Sequence, residues 1–264
     1  MFYPAAPGEL HDVVMQYMDG VSGVDLPRAP KALIVPHAGY IYSGSVAAAA
    51  YASIAARRER ITRVVLLGPS HRVYLQGIAL PEWNEFTTPL GNLRIDHEHQ
   101  AALLSQGEVI ASNAPHALEH SLEVQLPFLQ TLLGDFTLTP LVAGDASPRH
   151  VASVLAAVWG GEETLVLISS DLSHYHPYEV AQHIDRATSA AILNHSTQLS
   201  GEQACGAVCI NGLSQLARDL QMNVSEIARL NSGDTAGERS RVVGYGAFAI
   251  HEPENHEPEQ IAAA

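Results

Sequence analysis

The chain has few cysteines, few cations and no long apolar run, and each scarcity excludes something. Its two cysteines, Cys205 and Cys209, share one CGAVC segment. A disulfide there would be geometrically awkward and would close almost no loop, so both read as free thiols suited to a reducing compartment. Lys and Arg together number 14 against 28 Asp and Glu, a net charge of −14. Such a surface is repelled by phosphate backbones and anionic bilayers, so neither nucleic acid nor a membrane is an expected partner. No stretch approaches the roughly 18 apolar residues of a membrane span. The opening MFYPAAPGELHDVV lacks the basic flank and apolar core of a secretion signal. There is no internal repeat. The expectation is a cytoplasmic protein acting on a small molecule.

What is present is a large apolar fraction, 47% of 264 residues, and 14 histidines spread along the chain. Short apolar runs suit buried strands: ALIVP from Ala32, RVVLL from Arg63, FTLTPLV from Phe136 and TLVLIS from Thr164. Helical patterns fall between them, at Glu9 to Met18, from Ser45 through the Ala-rich segment to Arg60, His97 to Gln106, Glu119 to Leu133, Pro148 to Trp159, Tyr178 to His195 and Glu202 to Leu220. In the fourth of these, Pro127 predicts a kink. GIALPEWNEFTTPLGNLRID has the punctuation of irregular or antiparallel strands, and Glu226 to Asn231 and Arg241 to His251 read as closing strands. Alternating strand and helix predict an α/β fold: a central, mostly parallel sheet with helices on both faces. The expected organisation is one α/β domain over residues 1–251 and a flexible acidic tail over 252–264.

In such sheets, sites form from the loops leaving the C-terminal ends of strands. Three of the predicted strands end in a histidine loop: ALIVP at His37, RVVLLGPS at His71, TLVLISSDLS at His174. One histidine after a strand is an ordinary loop residue. Three at equivalent positions point to a shared metal or acid–base site, neutral imidazole being the commonest ligand for zinc, iron and copper. Gly39, Gly44 and Gly68 around them permit tight turns or close backbone approach. Asp171 is either an orienting carboxylate for His174 or the N-cap of a following helix. Glu119 and Glu123, on one predicted helix face around His120, would repel unless a cation lay near, or would simply favour a helix N-terminus. Cys205 sits near the start of a predicted helix, where a thiolate is favoured, whereas Cys209 suits the core.

The segments PHAGYIYSG, LLGPSH, ALEHSLEVQLPFLQ, ISSDLSHY, ACG and VVGYGAFAI together resemble the Memo family, including its prokaryotic members known as protein B of the AmmeMemoRadiSam system. The resemblance runs from about Lys31 to Ile250. It implies similarity in fold to class III extradiol dioxygenases, which hold non-haem iron(II). It implies metal ligands at His37, His71 and Cys205, the cysteine standing where the ring-cleaving enzymes use a carboxylate. It places His174 as the catalytic base with Asp171 beside it, and His120 as a further pocket histidine. Tyr40, Glu119 and Glu123 are assigned to contact with substrate.

Two imidazoles and a thiolate form a softer donor set than two histidines and a carboxylate, so iron(II) or copper is expected, with zinc possible. The leading expectation is a metal-dependent redox enzyme on a small substrate, beside a radical-SAM partner protein as the gene-system name suggests. The alternatives are a zinc-assisted hydrolase and a non-catalytic peptide-binding module that keeps the pocket.

Overall fold

The computed structural model describes residues 2–21, 26 and 28–253, so residues 254–264 of the expected tail lie outside the described residues. In chain order the elements are α1 (Pro7–Asp19), β1 (Ala32–Val35), α2 (Tyr40–Ala52), β2 (Arg63–Pro69), β3 (Ile78–Leu80), β4 (Glu85–Thr88), β5 (Gly91–Arg94), α3 (His97–Ser105), β6 (Ile110–Ala111), α4 (Leu126–Leu132), β7 (Thr137–Ala143), α5 (Pro148–Ala157), β8 (Thr164–Ser169), β9 (His174–His176), α6 (Tyr178–Leu193), α7 (Ala207–Asp219), β10 (Asn223–Asn231) and β11 (Val242–His251).

The main sheet has the order β10-β11-β1-β8-β2-β7-β3-β6, with β9 on β11, and β4 and β5 form a separate hairpin. Its centre, β1-β8-β2-β7, is parallel, and β10, β11 and the β3–β7 pairing are antiparallel. The expected α/β architecture is therefore present. Alternate residues of the central strands point to opposite faces, and both faces are covered. Leu33, Val35, Leu66 and Leu167 pack with α1, α2 and α4. Ile34, Val65, Leu67 and Ile168 pack with α5 and α7. Burial on both sides explains why these strands read as continuous apolar runs rather than alternating ones. Helix α2 approaches α1 so closely that a Cβ on Gly44 would lie 2.7 Å from the Tyr17 ring, which is why glycine stands there.

Three sequence expectations are corrected. The Ala-rich helix begins at Tyr40, earlier than expected, and ends at Ala52; the basic ARRER segment instead forms a 3-10 turn at Ala55–Arg57. There the Arg57 guanidinium donates to the carbonyls of Pro30, Glu162 and Thr164, holding the chain against the sheet end. The Glu119–Leu133 helix is broken. A turn carries Glu119, a 3-10 segment covers Glu123–Gln125, and α4 starts at Leu126 with Pro127 in its first turn, where a missing N–H costs nothing. Glu119 and Glu123 thus share no helix face: the first is buried and the second exposed. Finally, α7 starts at Ala207 rather than Glu202, leaving Cys205 in the preceding turn.

Candidate metal centre

The C-terminal ends of β1, β2 and β8 lie side by side. The loops leaving β1 and β2 supply His37 and His71, and the turn before α4 brings His120 to them, while His174 of the β8 loop is not among the three clustered imidazoles. His37, His71 and His120 each offer a nitrogen, and the three lie within 4.8 Å of one another. Their rings pack edge-on or stacked, with centroids 5.3 Å apart for His37–His71, 5.4 Å for His37–His120 and 4.9 Å for His71–His120. His37 is buried, His120 half-buried and His71 exposed, so the cluster opens outward past His71.

Hydrogen bonds assign the ring protons. Ser169 Oγ donates to the Ser121 carbonyl at 2.5 Å, which uses its only hydrogen. It must then accept from Gln125 Nε2 and from His37 Nδ1, each at 2.9 Å. His37 therefore carries its proton on Nδ1 and presents a bare Nε2. Burial first, and then the neighbouring imidazoles, push His37 well below the usual histidine range, so the ring is neutral. His71 Nδ1 donates to Glu119 Oε1 at 2.9 Å, which likewise frees its Nε2. Burial pulls the Glu119 carboxyl upward, but bonds from the His71 ring and the backbone N–H groups of His71 and Ser121 outweigh it and hold the carboxyl at about 2. The same oxygen accepts from the N–H of His120, fixing the turn that bears the third imidazole. Carboxylate or hydroxyl behind imidazole, lone pair in front, is the arrangement that metal-binding histidines use. Gly68 makes room for it: a Cβ there would sit 2.7 Å from Ser121 Oγ.

Cys205 borders this triad through His37, with Sγ 3.3 Å from His37 Nε2. Because Nε2 bears no proton, the contact is S–H···N. Asp171 N–H donates to the same sulfur at 3.3 Å. The thiolate expected from a helix N-terminus does not form unaided. Burial first, and then the charge of Asp171, push the thiol up to about 12. Only a cation within bonding reach would displace that proton. Neutral imidazole lone pairs beside a half-buried thiol suit a borderline or soft transition metal, so the residues present fit such an ion.

The remaining expected site residues are placed as follows. Asp171 is buried, and its Oδ1 accepts the His37 N–H at 2.7 Å, stitching the β1 and β8 loops together. Burial raises its carboxyl, opposed by that N–H bond and by the His174, His120 and His71 imidazoles. It caps no helix, since the chain next forms β9 and α6 has no side-chain cap. His174 opens β9 opposite Val243, half-buried and packed against Tyr175. Tyr40 lies beneath the centre; its hydroxyl donates to Val124 O at 2.8 Å and its ring packs on Phe128. Glu123 accepts from Tyr3 at 2.5 Å on the surface. Sequence reasoning did not find Ser169, Gln125 or Phe2. The first two have no motif that marks them as tautomer-setting. Phe2, which stacks on His120 at 4.6 Å, comes from the far end of the chain. A cleft of about 420 Å³ runs from His120 between Phe2, Trp83, Phe86, His116 and Leu118.

Replacing Ser169 by alanine would leave Gln125 and the Ser121 carbonyl short of a partner and the His37 tautomer unspecified. Metal affinity should fall about 10–100-fold, with about 1–3 kcal/mol lost from folding stability. Competition titration with a chelator and denaturant unfolding would read the two effects. Unchanged affinity would show that Ser169 does not set the ring.

Three comparisons bear on this centre. The family model for Memo-like protein matches residues 1–249. The chain is 32% identical to a MEMO1 family protein of Desulfurococcus amylolyticus, over 95% of this chain and 96% of that protein. It is 34% identical to one of Ignicoccus hospitalis, over 95% and 90%, and 33% identical to one of Methanobrevibacter smithii, over 91% and 87%. Among solved structures, an uncharacterised protein of Escherichia coli K12, JW3007, superposes with a TM-score of 0.51 at 14% identity, covering 83% of this chain and 99% of that one. That last likeness concerns the fold alone.

Proposed function

The chain belongs to the Memo-like protein family, and from that premise we propose that it holds one iron(II) or copper ion at His37 and His71, completed by His120 and Cys205, and serves as an oxidoreductase on a small substrate. The observation that carries the reading is the pair of enforced tautomers: Ser169 and Glu119 each take an Nδ1 proton, so two Nε2 lone pairs are held ready side by side. A redox-active ion in that position would supply one-electron chemistry and a site for oxygen. The chain's own residues do the rest. The aromatic cleft would orient a substrate against His120. Cys205 gives up its proton when a cation arrives, and the buried Asp171 holds the His37 backbone in place. His174, at the mouth of the β8 loop, is the group proposed to move protons at the substrate.

A zinc-assisted hydrolase would use the same ligands; such a donor set binds copper more tightly than zinc but iron(II) less tightly, so the metal content decides between the readings. Anaerobic purification with metal quantification, followed by oxygen uptake on the loaded protein, tests the reading. Iron or copper near one per chain with metal-dependent uptake is expected. Zinc alone, with no uptake, would turn the assignment to hydrolysis. The radical-SAM partner remains part of this proposal and would be tested by co-purification.

A further inference from the structure

The opposite pole of the sheet carries a second concentration of charge. Where β1 and β8 begin, a cavity of about 400 Å³ is lined by Arg28, Lys31, Arg57 and Arg60, with Trp159 as an apolar wall and Glu162 and Glu252 at its edge. Four of the 14 cationic side chains of an otherwise acidic protein thus face one concavity. Lys31 is only 5% exposed, and its ammonium donates to the carbonyls of Gly161 and Thr164 at 2.6 and 2.7 Å while lying 5.5 Å from the Trp159 ring centre. Arg57 likewise bonds only carbonyls, and its Nε is buried with no partner. Among the described residues neither cation is ion-paired with a carboxylate. Glu162 pairs with Arg60, and Glu163 turns back to the Gly161 N–H and the Thr164 hydroxyl. Burial, and then the like charge of Arg57, depress Lys31 to about 8, against the opposing pull of the Glu163 and Glu252 carboxylates.

Glu162, Glu163 and Glu252 lie near enough to offset part of this charge. Four cations against three carboxylates, two of the cations bonded only to neutral carbonyls, still leave positive charge that a ligand can neutralise, and guanidinium groups match phosphate oxygens in pairs. The cavity is within the size range of small-molecule sites, larger than a bare phosphate needs, and Trp159 offers a flat face to an organic body. We propose that this pole binds a small organic phosphate, its phosphate toward Arg28, Arg57 and Arg60 and its body against Trp159. Lys31 and His37 sit at the two ends of β1, about 20 Å apart at roughly 3.3 Å per residue, so this site stands apart from the metal centre.

Calorimetric titration of the full chain with adenosine monophosphate, inorganic phosphate and adenosine tests it. The monophosphate should bind, tighter than inorganic phosphate, and adenosine should not. An R28Q/R60Q double variant, altered only at exposed side chains, should weaken binding by about tenfold or more, and added salt should weaken it further. His37→Ala should bind as the parent does, because the metal centre takes no part. No heat with the monophosphate, equal affinity for inorganic phosphate, an unaffected double variant, or loss of binding in His37→Ala would each overturn the proposal.

Discussion

Replacing His37 by alanine is expected to leave the purified protein essentially free of metal, with the fold intact. His37 is the proposed ligand whose geometry is most completely determined: buried, neutral, with Nδ1 committed to Ser169 and Nε2 facing both the other imidazoles and Cys205 Sγ. Removing it takes one donor from the triad and the thiol's partner at the same time. Mass-spectrometric metal counting against circular dichroism of the same sample is the measurement. Cys205→Ser should lower retention at least as much as His174→Ala, since the first touches His37 Nε2, a proposed ligand atom, and the second is proposed to act on protons. If the His37 and Cys205 variants keep the parental metal content, both lose their place as ligands.

The second large effect concerns the floor beneath the centre. Phe128 on α4 is fully buried and stacks on Tyr51 at 5.1 Å and against Tyr40 at 5.0 Å. These tyrosines in turn hold the turn that carries the third imidazole, Tyr40 through Val124 O and Tyr51 through Gln125 Oε1. Phe128→Ala should cost about 3–5 kcal/mol of folding stability, combining lost burial with an unfilled cavity. Denaturant unfolding would read it, and a cost below about 1 kcal/mol would mean the site has collapsed around the gap. Because Gln125 also bonds Ser169 Oγ at 2.9 Å, metal affinity should drop along with stability.

Much of the architecture was legible because the central strands are buried on both faces: ALIVP, RVVLL and TLVLIS needed no partner information to stand out. His37 and His71 followed from the rule for strand ends; His174, read by the same rule, is not part of the cluster, and His120 reaches it from the turn before α4. Glu119 was not legible. A helical period fits its neighbourhood, but the carboxylate turns inward to the His71 ring and N–H and to the following turn, and those bonds outweigh helix continuation. Asp171 was ambiguous for a similar reason, since a carboxylate that bonds a backbone N–H from a distant loop looks in sequence like a helix cap. For Cys205, position before a helix suggested a reactive thiolate, whereas burial decides its proton. Ser169 could not have been singled out at all, because its role depends on its hydrogen going to the Ser121 carbonyl rather than to the His37 ring.

Phe2 lies flat on His120, and its carbonyl accepts the Tyr40 N–H at 2.8 Å, so the start of the described chain is built into the rim of the metal cleft. Whatever is fused ahead of it starts close to that rim. An affinity handle of consecutive histidines placed there would bring foreign imidazoles to the mouth of the cluster, inflating ion counts and masking the loss expected for His37→Ala. Handles belong at the other terminus, removed by protease before any metal is weighed.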